Sequence, residues 1–214
     1  MQIVEALKKF NRKERYWVIR NALGPGSDQL GEKFRRDLQQ TIGLEIPGDA
    51  WWSIDYHIDW LVGALALFVD DAVVSKPQDN SKNLVKGNQE DIDLVVAFGN
   101  TLILIEAKGD TSWSNVQLNS KLPRLEAILG ADFQGLYQQK NLSVYFVLMS
   151  PKRSMRLLRP DGLSWPNWMT AKDGTPLWMP MQLADSNESP SFFKVTRCQK
   201  SGAVSELGNS WKVI

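Results

Sequence analysis

The sequence predicts an α/β fold: a central sheet flanked by helices, then a small β-rich extension. Three observations carry that prediction. Two β-rich runs meet across Gly99-Asn100 within residues 90–108. Apolar residues recur at helical spacing on either side of them. A further run, Leu142 to Met149, follows the second helical segment, so a crossover helix separates it from the hairpin and the new strand is expected to lie parallel to its neighbour.

The hairpin comes first because it sets the register of everything near it. Two-residue hairpin loops favour φ > 0 at their central positions, which Gly accepts and Asn tolerates, so Phe98 should pair with Thr101. Counting outwards puts Asp93 opposite Glu106 and Asp91 opposite Lys108, all on one face. That face also carries Val95, Ala97, Leu102 and Leu104; the other carries Ile92, Leu94, Val96, Phe98, Ile103, Ile105 and Ala107. Both faces are apolar, so the hairpin is expected to be central and covered on both sides. Directly opposed carboxylates have Cβ atoms about 4.5 to 5.5 Å apart and repel one another unless a cation lies between them. Hard divalent ions such as Mg²⁺ accept one or two carboxylates plus waters and substrate phosphates, which is what these positions offer.

Asp93, twelve intervening residues, then Glu106-Ala107-Lys108 resembles the Asp…(Asp/Glu)-X-Lys signature of the PD-(D/E)XK nuclease superfamily. The resemblance implies a restriction-endonuclease-like central mixed sheet over roughly residues 28–150 and a Mg²⁺- or Mn²⁺-dependent phosphodiesterase acting on nucleic acid, with DNA favoured. It makes Asp93, Glu106 and Lys108 catalytic, with Asp93, Glu106 and the Ala107 carbonyl holding the metal. It gives supporting roles to Asp91, as the partner of Lys108, to Glu32 on a preceding helix and to Gln117 on the following one. Glu32 lies off the apolar stripe of its helix, so a surface glutamate is the other reading of it; Gln117 is otherwise part of a solvent face. A catalytically inactive nucleic-acid-binding module, or a protein-interaction module of the same fold, is the alternative to an enzyme. A homodimer is left open.

Composition sets the bounds. The chain has 214 residues, 43% hydrophobic and 23% charged, enough for a substantial core. One cysteine, Cys198, excludes an internal disulfide framework and suits a reducing cytoplasm. No apolar export segment opens the sequence, and the longest apolar run, Trp60 to Val69, is too short to span a membrane. The expected setting is therefore cytoplasmic, with no membrane partner. A net charge of +1 is less basic than that of dedicated DNA-binding domains. Cations nevertheless cluster at Lys8, Lys9, Arg12, Lys13 and Arg15, at Lys33, Arg35 and Arg36, and at Lys152, Arg153, Arg156 and Arg159. These are either solvated faces or a basic rim for a phosphate backbone.

Taken in order, residues 3–19 read as one amphipathic helix closed by Gly24-Pro25-Gly26, and Ser27 or Asp28 caps a second helix with stripe Leu30, Phe34, Leu38, Ile42 and stop Gly43. Residues 51–69 place Trp51, Ile54, Ile58, Leu61, Leu65 and Phe68 at helical spacing, with Asp55 and Asp59 sharing a face near His57. No His or Cys cluster supports zinc, and His57 reads as hydrogen-bonded or exposed. The resemblance implies a further core strand before the Asp-bearing one, which would fall to Ala72–Ser75 or Asn83–Lys86. After Lys108, Ser112 or Ser114 opens a helix with buried stripe Leu118, Leu122, Leu125, Leu129; Pro123 should kink it or delay its start. Gln117, Lys121 and Arg124 share another face, which makes Lys121 and Arg124 nucleic-acid contacts together with Lys152, Arg153 and Arg156. The expected domains are 1–150, the α/β core, and 151–214, a Trp-rich extension with strands at 192–198 and 210–214. Its Trp165, Trp168, Trp178 and Trp211 either fill a small core or offer bases a stacking surface beside Arg156 and Arg159.

Overall fold

The computed structural model describes every residue except 25, 89, 110–112, 114, 131–138, 154–164 and 184–192, and leaves the side chains of 115–117 and 119 undescribed. The chain divides into two units, Met1–Met181 and Gln182–Ile214. The first contains helices α1 (Ile3–Phe10), α2 (Glu14–Leu23), α3 (Glu32–Ile42), α4 (Ile58–Val69) and α5 (Asn115–Leu129). Its strands are β1 (Trp51–His57), β2 (Asp91–Phe98), β3 (Thr101–Ala107), β4 (Ser143–Ser150) and β5 (Leu177–Pro180). The strands form one mixed sheet in the order β1-β2-β3-β4-β5. β2 runs antiparallel to both β1 and β3, and β3, β4 and β5 run parallel. The second unit holds the antiparallel pair β6 (Val195–Cys198) and β7 (Ser210–Val213), within the segments expected to be strands.

The hairpin forms with the expected register. Phe98 pairs with Thr101 and Leu94 with Ile105, and Gly99 takes φ +50°, the left-handed backbone that glycine adopts without a Cβ clash. One face of the sheet packs α1, α4 and α5 through Val95, Ala97, Leu102, Leu104, Phe146 and Leu148; the other packs α3 through Val96, Ile103, Ile105 and Val147. Burial on both faces explains why the strands read as near-continuous apolar runs.

Several expectations are corrected. Residues 51–69 are not one helix: 51–57 form β1, the first core strand, and only Ile58 onwards is helical. Residues 72–75 and 83–86 contribute no strand, and Asp71–Val73 is a single 3-10 turn. The helix expected over 3–19 breaks at 11–13, where Asn11 is buried and accepts a hydrogen bond from Ser53 Oγ at 3.0 Å. Gly31, not Ser27 or Asp28, caps α3, while Gly43 stops it at φ +75°. Helix α5 runs through the exposed Pro123 and buries Leu118, Leu122, Leu125, Ile128 and Leu129. Leu177–Pro180 extends the main sheet, so the core reaches past residue 150, and Trp165, Trp168 and Trp178 pack against its larger cluster.

Candidate functional site

The acidic residues gather at one end of the sheet because strand directions alternate there. His57 ends β1, Asp91 and Asp93 begin β2, Glu106 and Ala107 end β3, and Lys152 and Arg153 follow the end of β4. A backbone irregularity shapes this end. Asp55 has φ +47°, and the β1–β2 ladder passes from Ile54–Leu94 to Tyr56–Ile92. Trp52 and Leu94 pack on the α3 side, whereas Tyr56 and Ile92 are buried on the α4 side. Both strands therefore change face around Asp55 and Asp93, which also moves Ile92 off the face assigned to it by simple alternation.

Asp93 reaches the end of β3 beside Glu106, but the two are not a paired rung of the ladder as the hairpin count expected. The paired ladder stops at Leu94–Ile105, and one position beyond it Asp93 Oδ2 accepts the Ala107 backbone N–H at 2.7 Å. Glu106 is 6% exposed. Burial pushes its carboxyl up to about 7, the negative charge of Asp93 adds to the rise, and Lys121 opposes it. Lys121, reaching down from α5, donates to both Glu106 oxygens at 2.7 Å and to the Asp91 carbonyl oxygen at 2.6 Å. Above them lies an open cleft of about 550 Å³ lined by Asp55, Lys86, Asn88, Glu90, Asp91, Asp93, Ser120 and Lys121.

Several other predicted residues have partners or places that were not expected of them. Asp91 was expected to pair with Lys108; its carboxylate meets Lys13 Nζ at 2.9 Å and lies 2.6 Å from His57 Nδ1. That histidine contact is close but poorly angled, since Oδ1 finds no hydrogen-bond donor with proper geometry. Lys108, just past β3, is half-buried and its backbone N–H donates to the Met149 carbonyl at 2.8 Å on β4. Glu32 is exposed in the first turn of α3, on the opposite face of the sheet from Lys121, and its carboxylate binds Arg36. Asp59 does not share a helical face with Asp55, which is in β1. The Gln117 side chain and Arg156 lie outside the described residues. Lys152 and Arg153 are exposed, and Arg153 donates to Thr175 Oγ1 at 2.9 Å.

Arg124 is the clearest correction. Expected on a nucleic-acid-binding face, it is 4% exposed. Its guanidinium binds Asp59, Glu90 Oε2 at 2.9 Å, Asn88 Oδ1 at 3.1 Å and the Leu84 carbonyl at 3.0 Å. Asp59 in turn accepts the backbone N–H groups of Lys86 and Gly87. Burial raises the Asp59 carboxyl, but those two N–H groups and Arg124 outweigh it and hold the carboxyl below its ordinary value. The network holds Leu84, Lys86, Gly87, Asn88 and Glu90, and Lys86, Asn88, Glu90 and Asp91 make up half of the cleft lining. A spacing signal for both cations was present: Lys121 is three residues after Leu118 and four before Leu125, and Arg124 four before Ile128, so each borders the buried stripe.

Asp93 and the buried Glu106 bring two carboxylates to this end of the sheet, both Glu106 oxygens being held by Lys121. Among the described residues no group of three or more His, Cys, Asp or Glu side chains is arranged to hold a metal. No helix among the described residues is long and apolar enough to cross a membrane. No family model matches the chain, and no curated protein or solved structure is significantly similar to it.

Proposed function

We propose that this protein is a metal-dependent phosphodiesterase acting on nucleic acid, DNA by preference, with a site like that of the PD-(D/E)XK nucleases. The observation that carries the reading is the meeting of Asp93 and buried Glu106 at the end of a tight hairpin, beneath an open cleft. Support also comes from the strand order, in which three strands joined by antiparallel pairing precede a parallel crossover through α5.

Asp93 and Glu106 would hold a Mg²⁺ or Mn²⁺ ion, with the Ala107 carbonyl as a third donor. When bound, that ion supplies charge neutralisation on the phosphate and a more acidic water. Lys108 orients the attacking water and stabilises negative charge developing on the phosphoryl oxygens. Lys152 and Arg153, exposed at the same end of the sheet, contact the phosphate backbone. The test is incubation of the full chain with supercoiled plasmid, single-stranded DNA and RNA, with Mg²⁺, with Mn²⁺ and with chelator. Metal-dependent, chelator-sensitive cutting of at least one substrate is expected; no cutting of any substrate with either metal overturns the proposal.

One observation favours a second reading, a nucleic-acid-binding module that does not cut. Lys121 already places a positive charge on both Glu106 oxygens, and as a permanent counter-ion it would leave no place for a metal. Nucleic-acid binding without calorimetric heat on Mn²⁺ addition would support that reading.

A further inference from the structure

Lys121 lines the cleft, whereas Glu106 is buried and is not part of the lining. The three ammonium protons have three acceptors, the two Glu106 oxygens and the Asp91 carbonyl. Lys121 and Glu106 side chains are 16% and 8% exposed, so the contact is largely shielded from solvent. The neighbouring charges are acidic: Asp93 and Glu90 both act on Glu106, and the Asp91 carboxylate is itself engaged by Lys13. A cation approaching Glu106 from the cleft therefore meets the Lys121 ammonium first, and the two compete for the same oxygens.

We propose that Lys121 is a resident, exchangeable counter-ion of the acidic site, which a divalent cation must displace from Glu106 in order to bind. The inference rests on the metal-dependent reading above and adds the step that controls loading of the site. The four-carbon stem of a lysine lets its ammonium swing away while the backbone of α5 stays docked through Leu118, Leu122 and Leu125. Once displaced, the ammonium remains at the cleft and is available to a phosphate oxygen.

The experiment is calorimetric titration of the full chain with Mn²⁺ alone, comparing wild type, Lys121→Met and Lys121→Arg. Met preserves length without charge, and Lys121→Met should bind Mn²⁺ about tenfold tighter than wild type, a change of about 1.4 kcal/mol. Lys121→Arg, which keeps a cation, should bind no tighter than wild type. Equal or weaker binding by Lys121→Met, with binding lost in Glu106→Gln, overturns this inference alone. Absence of Mn²⁺ binding in all three proteins overturns both it and the metal-dependent reading. If Lys121→Met does not fold, wild type suffices: the side-chain ammonium resonance of ¹⁵N-labelled Lys121 must shift or vanish as Mg²⁺ is added. An unchanged resonance while Mg²⁺ binds with measurable heat also overturns the proposal.

Discussion

Replacing Arg124 with Met tests whether the cleft wall is held by the buried guanidinium. The side chain is 2% exposed and serves two carboxylates, an amide oxygen and a carbonyl. Removing one member of a buried ion pair costs about 3–5 kcal/mol, chiefly because the remaining charge is stranded. Here Asp59 and Glu90 are 17% and 14% exposed, and Asp59 keeps its bonds from Lys86 and Gly87, so solvent and backbone relieve part of that cost. The expected loss is about 3 kcal/mol, or about 1.5 M in the urea midpoint for an m-value of about 2 kcal/mol/M. Urea unfolding followed by circular dichroism measures it. The difference should shrink in acid, because Asp59 is depressed below its ordinary value of 3.8. Its contribution is complete above that value and disappears as pH falls through the lower, folded-state value. A loss under about 1 kcal/mol at neutral pH would refute the clamp.

Glu106→Gln probes the opposite sign. A carboxyl raised from 4.5 to about 7 stabilises the fold fully below pH 4.5 and loses that contribution as pH rises through 7. Wild type should therefore weaken relative to the variant between pH 5 and 8, by at most about 3 kcal/mol, and parallel stability curves would contradict the burial argument. Gly99→Val should cost about 1–2 kcal/mol in thermal unfolding, because a branched side chain is strained at φ +50°; an unchanged melting temperature would mean the turn is not needed for the register. Gly208→Ala would drive a Cβ into the Cys198 carbonyl group, so amide exchange in Val195–Cys198 should accelerate while Thr101–Ala107 remains protected.

The hairpin was legible because one dipeptide and strict alternation fix a register without help from the rest of the chain. The crossover helix and β4 were legible for the same local reason, a clear period followed by a clear apolar run. β1 was not. Trp51, Ile54 and Ile58 satisfy helical spacing across a strand–helix junction, and the positive φ of Asp55 breaks the two-residue period that would have marked a strand. The hairpin count brought Asp93 towards the Glu106–Ala107 end of β3, although the ladder itself stops at Leu94–Ile105; the partners of Asp91, Lys121 and Arg124 depend on how α2, α4 and α5 dock against the sheet. Charge type gave no hint that Arg124 belongs to a buried network rather than a phosphate-binding face; its spacing placed it at the border of the buried stripe, and docking against α4 and the 84–88 segment decided the rest.

The most direct test of the central claim is cleavage of plasmid and single-stranded DNA in Mn²⁺ by wild type, Asp93→Asn and Glu106→Gln, each first shown to be folded. Wild type should cut, and both variants should lose cutting by at least about a hundredfold. Cleavage by either folded variant at the wild-type rate would contradict the assignment of the paired carboxylates as the reactive centre.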